Sequence, residues 1–287
     1  MLSLWVVGKH IPSSIKNVSE DQTIIFDEDS KKSTEKILHD LIAEKGSNGV
    51  INRMEKYRVE EDVLLSILSQ KTVRNVKKDY YPIMNRIKEI VKLWDRGLSF
   101  FDIANKLSFS PILIATLILK EKGYNKKDIK NIFTNLDLIE DKRIKNEIMK
   151  AIEVDIAYSP ESSRIQRENG KKGEEMLKIY LDNKELQFLR EDDLRKLGSG
   201  KTPDFLLKKP IKIRGRKVFW FESKAIFCDY IEFKQYYNKQ LKHYISLFGP
   251  CIVVYWKGYI DDIITDKRVL VVDKNFFEKS FTSFEYI

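Results

Sequence analysis

Cysteine is nearly absent from this sequence. Cys228 and Cys251 are the only two in 287 residues. They supply no disulfide framework and neither stands at a zinc-ligand spacing. A reducing compartment follows, with the cytoplasm as the expected location, and the nucleus as well in a eukaryote. Histidine is almost as scarce: His10, His39 and His243 lie far apart, which excludes a His–Cys metal site and a Ser–His–Asp arrangement. No apolar run approaches the length of a membrane span, so no membrane partner is expected. The opening "MLSLWVVGKHIP" has no basic stretch before a long apolar core and no small-residue cleavage site, so no leader is expected. Beyond two similar helical units there is no internal repeat, and there is no low-complexity segment. "GSGKT" at 198–202 looks like the end of a phosphate-binding loop, but the first glycine is absent at the required position and a strand, not a helix, follows.

What is present is positive charge. Lys and Arg number 52 against 43 Asp and Glu, a net charge of +9 and a pI near 9.2. That balance favours polyanionic partners, nucleic acid above all. The length and the 43% hydrophobic content allow a sizeable core and more than one domain.

Residues 1–32 look irregular or weakly strand-forming. From there to about residue 150 the apolar residues recur at helical spacing, as in "STEKILHDLIAEKG" and "VEEDVLLSILSQKTVRNVKKDYY". "MNRIKEIVKLWDRGLSFFDIANKLSFSPILIATLILKEKGY" reads as helix, glycine break, short helix, tight turn and helix. Ser110 is placed to cap the last helix and Pro111 to open it. This is the pattern of a helix-turn-helix, and also of any small helical bundle. Ahead of it Lys71, Arg74 and Lys78 fall at i, i+3 and i+7 on one helix face. Such a stripe is either a solvated face or a set of phosphate contacts.

The pattern changes near residue 151. "GEEMLKIYLDN" is an amphipathic helix and "KELQFL" a short strand. "TPDFLLKKPIKI" and "KVFWFESKAIF" are apolar strands joined by a hairpin turn at "IRGRK". "FKQYYNKQLKHYISLFG" is helical, and "CIVVYWKGY" and "RVLVVD" are further strands. The expected architecture is therefore an all-α N-terminal part, 1–82 and 83–150, each helix-turn-helix-like, and an α/β domain over 151–287 with a central mixed sheet flanked by helices.

Charges inside two apolar strands are the chemical signal. In a strand, residues two apart share a face, so Glu222 and Lys224 of "FWFESKA" point the same way. Asp204 of "KTPDFLL" lies across the hairpin, where cross-strand side chains approach within about 5 Å. Two carboxylates that close repel unless a cation joins them. With the Ser223 carbonyl they form an oxygen donor set suited to Mg²⁺ or Mn²⁺. A buried ion pair of Lys224 with either acid is the competing structural reading. Glu174 or Glu175, on the preceding helix after the basic "GKKG", could reach the metal or its water. Gln240 and Tyr244, at i and i+4 on the following helix, can face the same place and hydrogen-bond a phosphate or base of a nucleic acid; ordinary helix-surface polarity is the alternative reading of that pair. Around the site Lys201, Arg214 and Arg216 are candidate contacts to a nucleic-acid backbone; for the hairpin arginines a solvated turn is the alternative. Trp220 and Trp256 read as core.

The order Glu…Pro-Asp…Glu-x-Lys…Gln-x-x-x-Tyr resembles the PD-(D/E)xK nuclease superfamily in its RecB-like form. "FLREDDLRKLGSGKTPDFLL", "FWFESKAIFCD" and "FGPCIVVYWKGYI" are similar to the TPD-domain family within it, named for Thr-Pro-Asp. The resemblance is strong over 171–262 and weaker over the helical half. It implies a restriction-endonuclease-like fold and metal-dependent phosphodiester hydrolysis. It carries Glu174, Asp204, Glu222 and Lys224 as the core of the site, with Thr202 and Pro203 completing the signature and Gln240 less firmly placed. The expectation is thus a Mg²⁺- or Mn²⁺-dependent nuclease, an endonuclease acting on DNA, with a helical nucleic-acid-binding part. A DNA-binding or scaffold protein that keeps the fold without turnover is the rival.

Overall fold

The computed structural model describes residues 60–198, 200–260, 266–278 and 285–286. The helix expected in "STEKILHDLIAEKG" lies outside them. The chain divides into two compact units; of the described residues, 67–168 form one, and 60–66 with 169–287 the other.

The helical unit is built from α1 (Glu61–Asn85, whose first turns belong to the other unit), α2 (Ile87–Asp95), α3 (Phe100–Leu107), α4 (Pro111–Glu121), α5 (Lys126–Thr134) and α6 (Lys142–Val154). Side-chain caps define the starts. Ser99 and Asp102 form a capping box on α3, as Asn125 and Asp128 do on α5, and Ser110 Oγ accepts from Leu113 N with Pro111 in the first turn of α4. The three residues between α3 and α4 turn the chain by 116°. No single described helix is long and apolar enough to cross a membrane. α4 is the centre of this unit: Ile112, Ile114, Ala115, Leu117, Ile118 and Leu119 are all buried, packed with Phe100, Ile103 and Ile148. Glu147 of α6 ties the bundle, accepting from Trp94 Nε1 at 2.9 Å, Phe100 N at 3.0 Å and Arg143 Nε at 2.7 Å.

The second unit opens with α7 (Pro160–Asn183), which begins before residue 169, and continues through β1 (Phe188–Arg190), α8 (Glu191–Lys196), β2 (Phe205–Ile213) and β3 (Arg216–Lys224). α9 (Tyr230–Tyr236), a π turn (Tyr237–Leu241) and α10 (Lys242–Phe248) lead to β4 (Cys251–Tyr255), β5 (Val269–Val272), α11 (Asn275–Glu278) and β6 (Glu285–Tyr286). The sheet is mixed, in the order β1-β2-β3-β4-β5, with β6 also paired to β2. β1–β2 and β2–β3 are antiparallel; β3–β4 and β4–β5 are parallel. Both faces are covered, so β4 is buried along its whole length. On one face Leu177 and Leu181 of α7 pack on Phe205, Phe221, Ile252 and Val254. On the other, Phe233, Leu241 and Ile245 pack on Trp220, Val253 and Tyr255.

Candidate active site

The β2–β3 hairpin places the acids. Arg214 and Gly215 both take positive φ, 49° and 75°, the conformation of a tight two-residue turn that twists with its strands. The turn sets Ile213 opposite Arg216. Continued unbroken, that register would put Asp204 opposite Ala225. A register shift between Leu206 and Ile211 changes it, so that Phe205 faces Phe221 and Asp204, one step on, faces Glu222. Pro210, which has no N–H for a ladder, lies within the shifted stretch. Directly opposed residues share a face, so the bulge gathers Asp204, Glu222 and Lys224 on the side of α9 and α10. Ser223 points the other way, toward α7.

Charge is held tightly there. Glu222 is 2% exposed. Lys224 Nζ donates to Glu222 Oε1 at 2.7 Å. Burial alone would lower the lysine, but the charges of Glu222 and Asp204 outweigh it and keep its pKa raised. The Asp204 carboxyl is pushed up to about 7, by burial first and by the Glu222 charge second, against the pull of Lys224 and the Ser223 N–H. That N–H donates to Asp204 Oδ2 at 2.8 Å. Glu222 Oε2 is buried with no hydrogen-bond partner. A buried carboxylate oxygen without a partner is costly, and with the Asp204 carboxyl beside it the pair offers a set of oxygen donors. The donor set fits a hard divalent ion.

Glu174 comes from α7, on the opposite layer, and its charge reaches Asp204. It is half-buried, while Glu175 is exposed. Its carboxylate is turned to Arg190 Nη2 at 3.6 Å, and the Arg190 guanidinium lies 5.4 Å from the Phe205 ring centroid. Among the described residues no three His, Cys, Asp or Glu side chains converge to hold an ion. The structure therefore brings Asp204, Glu222 and Lys224 together with the Ser223 backbone, and leaves Glu174 paired with Arg190. α7 reaches the sheet at Gly173, beneath the Trp256 indole, whose N–H donates to Ser223 Oγ at 2.8 Å.

Tyr244 requires a correction. Expected at the nucleic-acid surface, it is 6% exposed, and its ring meets Trp220 edge-on at 5.7 Å. Its hydroxyl donates to the Thr202 carbonyl at 3.1 Å, so it fixes the Thr-Pro-Asp segment. Gln240 stands beside that hydroxyl. Lys201 and Arg216 are exposed, and Arg214 lies over the Phe276 ring at 5.0 Å. Lys71, Arg74 and Lys78 belong to α1. Lys78 is exposed, Lys71 is half-buried and lowered by that burial, and Arg74 Nη2 donates to Gln70 Oε1 at 3.3 Å. Sequence reasoning missed Arg190, Trp256 as the neighbour of Ser223, and Tyr236, whose ring centroid lies 4.5 Å from Lys224 Nζ. Only Tyr236 had a legible signal, standing four residues before Gln240 as Tyr244 stands four after.

Helices cover both faces of a mixed sheet, and an Asp–Glu–Lys group in which Glu222 is buried stands at its strand ends; comparison with known proteins gives the family. A family model described as a protein of unknown function with a TPD sequence motif matches residues 140–275. The human protein named CDAN1-interacting nuclease 1 is 32% identical over 216 residues, 70% of this chain and 77% of that protein. Its Danio rerio counterpart is 29% identical over 239 residues, 77% of this chain and 79% of its own length. No solved structure matches. The chain belongs to the TPD-motif family.

Proposed function

We propose that the protein is a metal-dependent nuclease that hydrolyses phosphodiester bonds in DNA. One observation carries the reading: the partnerless, buried Glu222 Oε2 beside an Asp204 carboxyl raised by burial and by Glu222. The names of the relatives support it. An antiparallel hairpin followed by a helical crossover into a parallel strand, with a helix ahead of it, is in keeping with a restriction-endonuclease-like fold.

Asp204 and Glu222 would hold Mg²⁺ or Mn²⁺, with the Ser223 carbonyl as a further oxygen and Glu174 positioning water once released from Arg190. When bound, such an ion lowers the pKa of water and neutralises charge on a phosphate. Lys224, kept protonated by the two carboxylates, orients the attacking water and offers positive charge to the phosphate oxygens. Tyr244 fixes the backbone that presents Asp204. Lys201 and Arg216 are placed to contact the nucleic-acid backbone, which positions substrate without reading its sequence. In the helical unit, the 116° turn between α3 and α4 is in keeping with a helix-turn-helix. A reading helix needs a polar face, however, and α4 is core. Nucleic-acid contact is therefore assigned to the basic face of α1 that ends at Lys78.

A scaffold without turnover is the second reading, favoured by the Glu174–Arg190 pair that keeps the third acid away. The test is a panel of labelled DNA and RNA structures with Mg²⁺, Mn²⁺ or chelator. Asp204→Asn and Glu222→Gln should abolish cleavage while nucleic-acid binding survives. Cleavage by Glu222→Gln at the wild-type rate in a clean preparation would refute the site. Calorimetric Mg²⁺ binding without cleavage of any substrate would favour the scaffold.

A further inference from the structure

Lys224 makes two direct contacts in the site. One is Glu222 Oε1 at 2.7 Å; the other is the Tyr236 ring, whose centroid lies 4.5 Å from the ammonium. The first contact is an ion pair and the second a cation–π contact. They respond differently to a divalent ion. An ion on Glu222 and Asp204 competes for the carboxylate and repels the ammonium, so the ion pair weakens as the site loads. The ring carries no charge to be neutralised and keeps its attraction.

Local backbone geometry supports a dedicated role for this tyrosine. Tyr236 is the last residue of α9, directly before the π turn. An α-helix rotates about 100° per residue, so residues eight apart would face directions about 80° apart. The extra residue of the π turn reduces this to about 20°, and Tyr236 and Tyr244 come onto one side. Both then serve the strand face that carries Glu222 and Lys224, Tyr244 by holding Thr202 and Tyr236 by covering the lysine. The Tyr236 hydroxyl is buried with no partner. A side chain kept in place at that cost is retained for something other than its own hydrogen bonding.

We propose that the Tyr236 ring is the seat that holds the Lys224 ammonium in the site once a divalent ion engages Glu222, making Tyr236 a positioning residue for that lysine. This rests on the metal-dependent reading, since without an ion the Glu222 pair would hold the lysine by itself.

The test has a spectroscopic arm and a kinetic arm, both on the full chain. Lysine labelled with ¹³C at the ε-carbon gives a methylene cross-peak for Lys224, assigned by its loss in Lys224→Met. Ring currents should shift that peak upfield, and it should stay shifted at saturating Mg²⁺. Tyr236→Leu should return it to the position of free lysine, and Tyr236→Phe should restore the shift. In cleavage, Tyr236→Leu should lower kcat about tenfold with KM within about twofold, the size expected for a partly desolvated cation–π contact, and Tyr236→Phe should recover it. Loss of the upfield shift when Mg²⁺ is added to the unmodified protein overturns the proposal, and that measurement needs no variant to fold. Equal losses in Tyr236→Phe and Tyr236→Leu also overturn it, because the hydroxyl would then be the active part. If the protein cleaves nothing, the nuclease reading fails, while the Lys224 peak with Mg²⁺ still decides whether the ring seats the lysine.

Discussion

Gly173→Ala probes the packing that carries α7 onto the sheet. A Cβ at this position would lie 2.6 Å from Trp256 Nε1, 2.7 Å from Trp256 Cδ1 and 3.1 Å from Ser223 Oγ. Ordinary carbon contacts begin at about 3.5 Å, so the ring or the helix must move by roughly 1 Å. The indole is not free to do so. Its N–H is bonded to Ser223 Oγ at 2.8 Å and its ring stacks on Phe277 at a centroid distance of 5.3 Å. Overpacking costs about 1–3 kcal/mol, and loss of the indole hydrogen bond about 1 more. Alanine's advantage over glycine inside a helix returns about 1 kcal/mol. The net is a destabilisation of about 1–3 kcal/mol, read as a lower urea midpoint with unchanged slope for the transition of this unit. In a Trp256→Ala background only the 3.1 Å approach to Ser223 Oγ remains, which the hydroxyl, no longer bonded to the indole, can relieve by rotating, and Gly173→Ala should stabilise by up to about 1 kcal/mol. The two substitutions should therefore be strongly non-additive. A neutral or stabilising Gly173→Ala in the wild-type background would refute the close approach of α7 to the sheet.

Three further outcomes follow from the same geometry. In chelator, Asp204 is protonated in the folded protein at pH values where it ionises in the unfolded chain, because its carboxyl is raised from 3.8 to about 7. Its stabilising share is complete below about pH 4 and is lost as pH rises to about 7; Asp204→Asn should flatten that slope in a pH series of thermal melts, and an unchanged slope would show that the group is not raised. Asp155 accepts from the Ser110 hydroxyl, Ile112 N at 3.3 Å, Ala157 N at 2.9 Å and Tyr158 N at 2.7 Å while 4% exposed; Asp155→Ala should destabilise the helical unit by about 3 kcal/mol, and denaturant curves showing under about 1 kcal/mol would mean water replaces the carboxylate. Replacing Lys71, Arg74 and Lys78 together should flatten the dependence of log affinity for duplex DNA on log salt, which runs near −0.9 per phosphate neutralised; an unchanged slope in binding titrations would return α1 to an ordinary solvated face.

Local pattern was enough for the main strands and helices of the sheet unit, though not for the short α8, α11 and β6. Alternation placed Glu222 and Lys224 on one face of a strand, and the glycine of "IRGRK" placed the hairpin, because both depend only on neighbours along the chain. The capped start of α4 was legible for the same reason: Ser110 and Pro111 act on the turn they begin. The family was legible as well, since its motif residues stand in order. The way in which Asp204 meets Glu222 was not. It depends on a register shift midway along β2, and an unbroken ladder would have set Asp204 opposite Ala225; Pro210 was the one hint. Nor could the sequence show that Tyr244 turns inward to hold Thr202, that Glu174 turns to Arg190, or that Tyr236 covers Lys224. The π turn that aligns the two tyrosines leaves no mark on the apolar spacing, and the burial of α4 follows from what surrounds it. Periodicity records the faces an element has. Only packing decides what each face meets, because the partners come from elements far apart in the chain and their choice is settled by volume and by which buried charges find a counterpart.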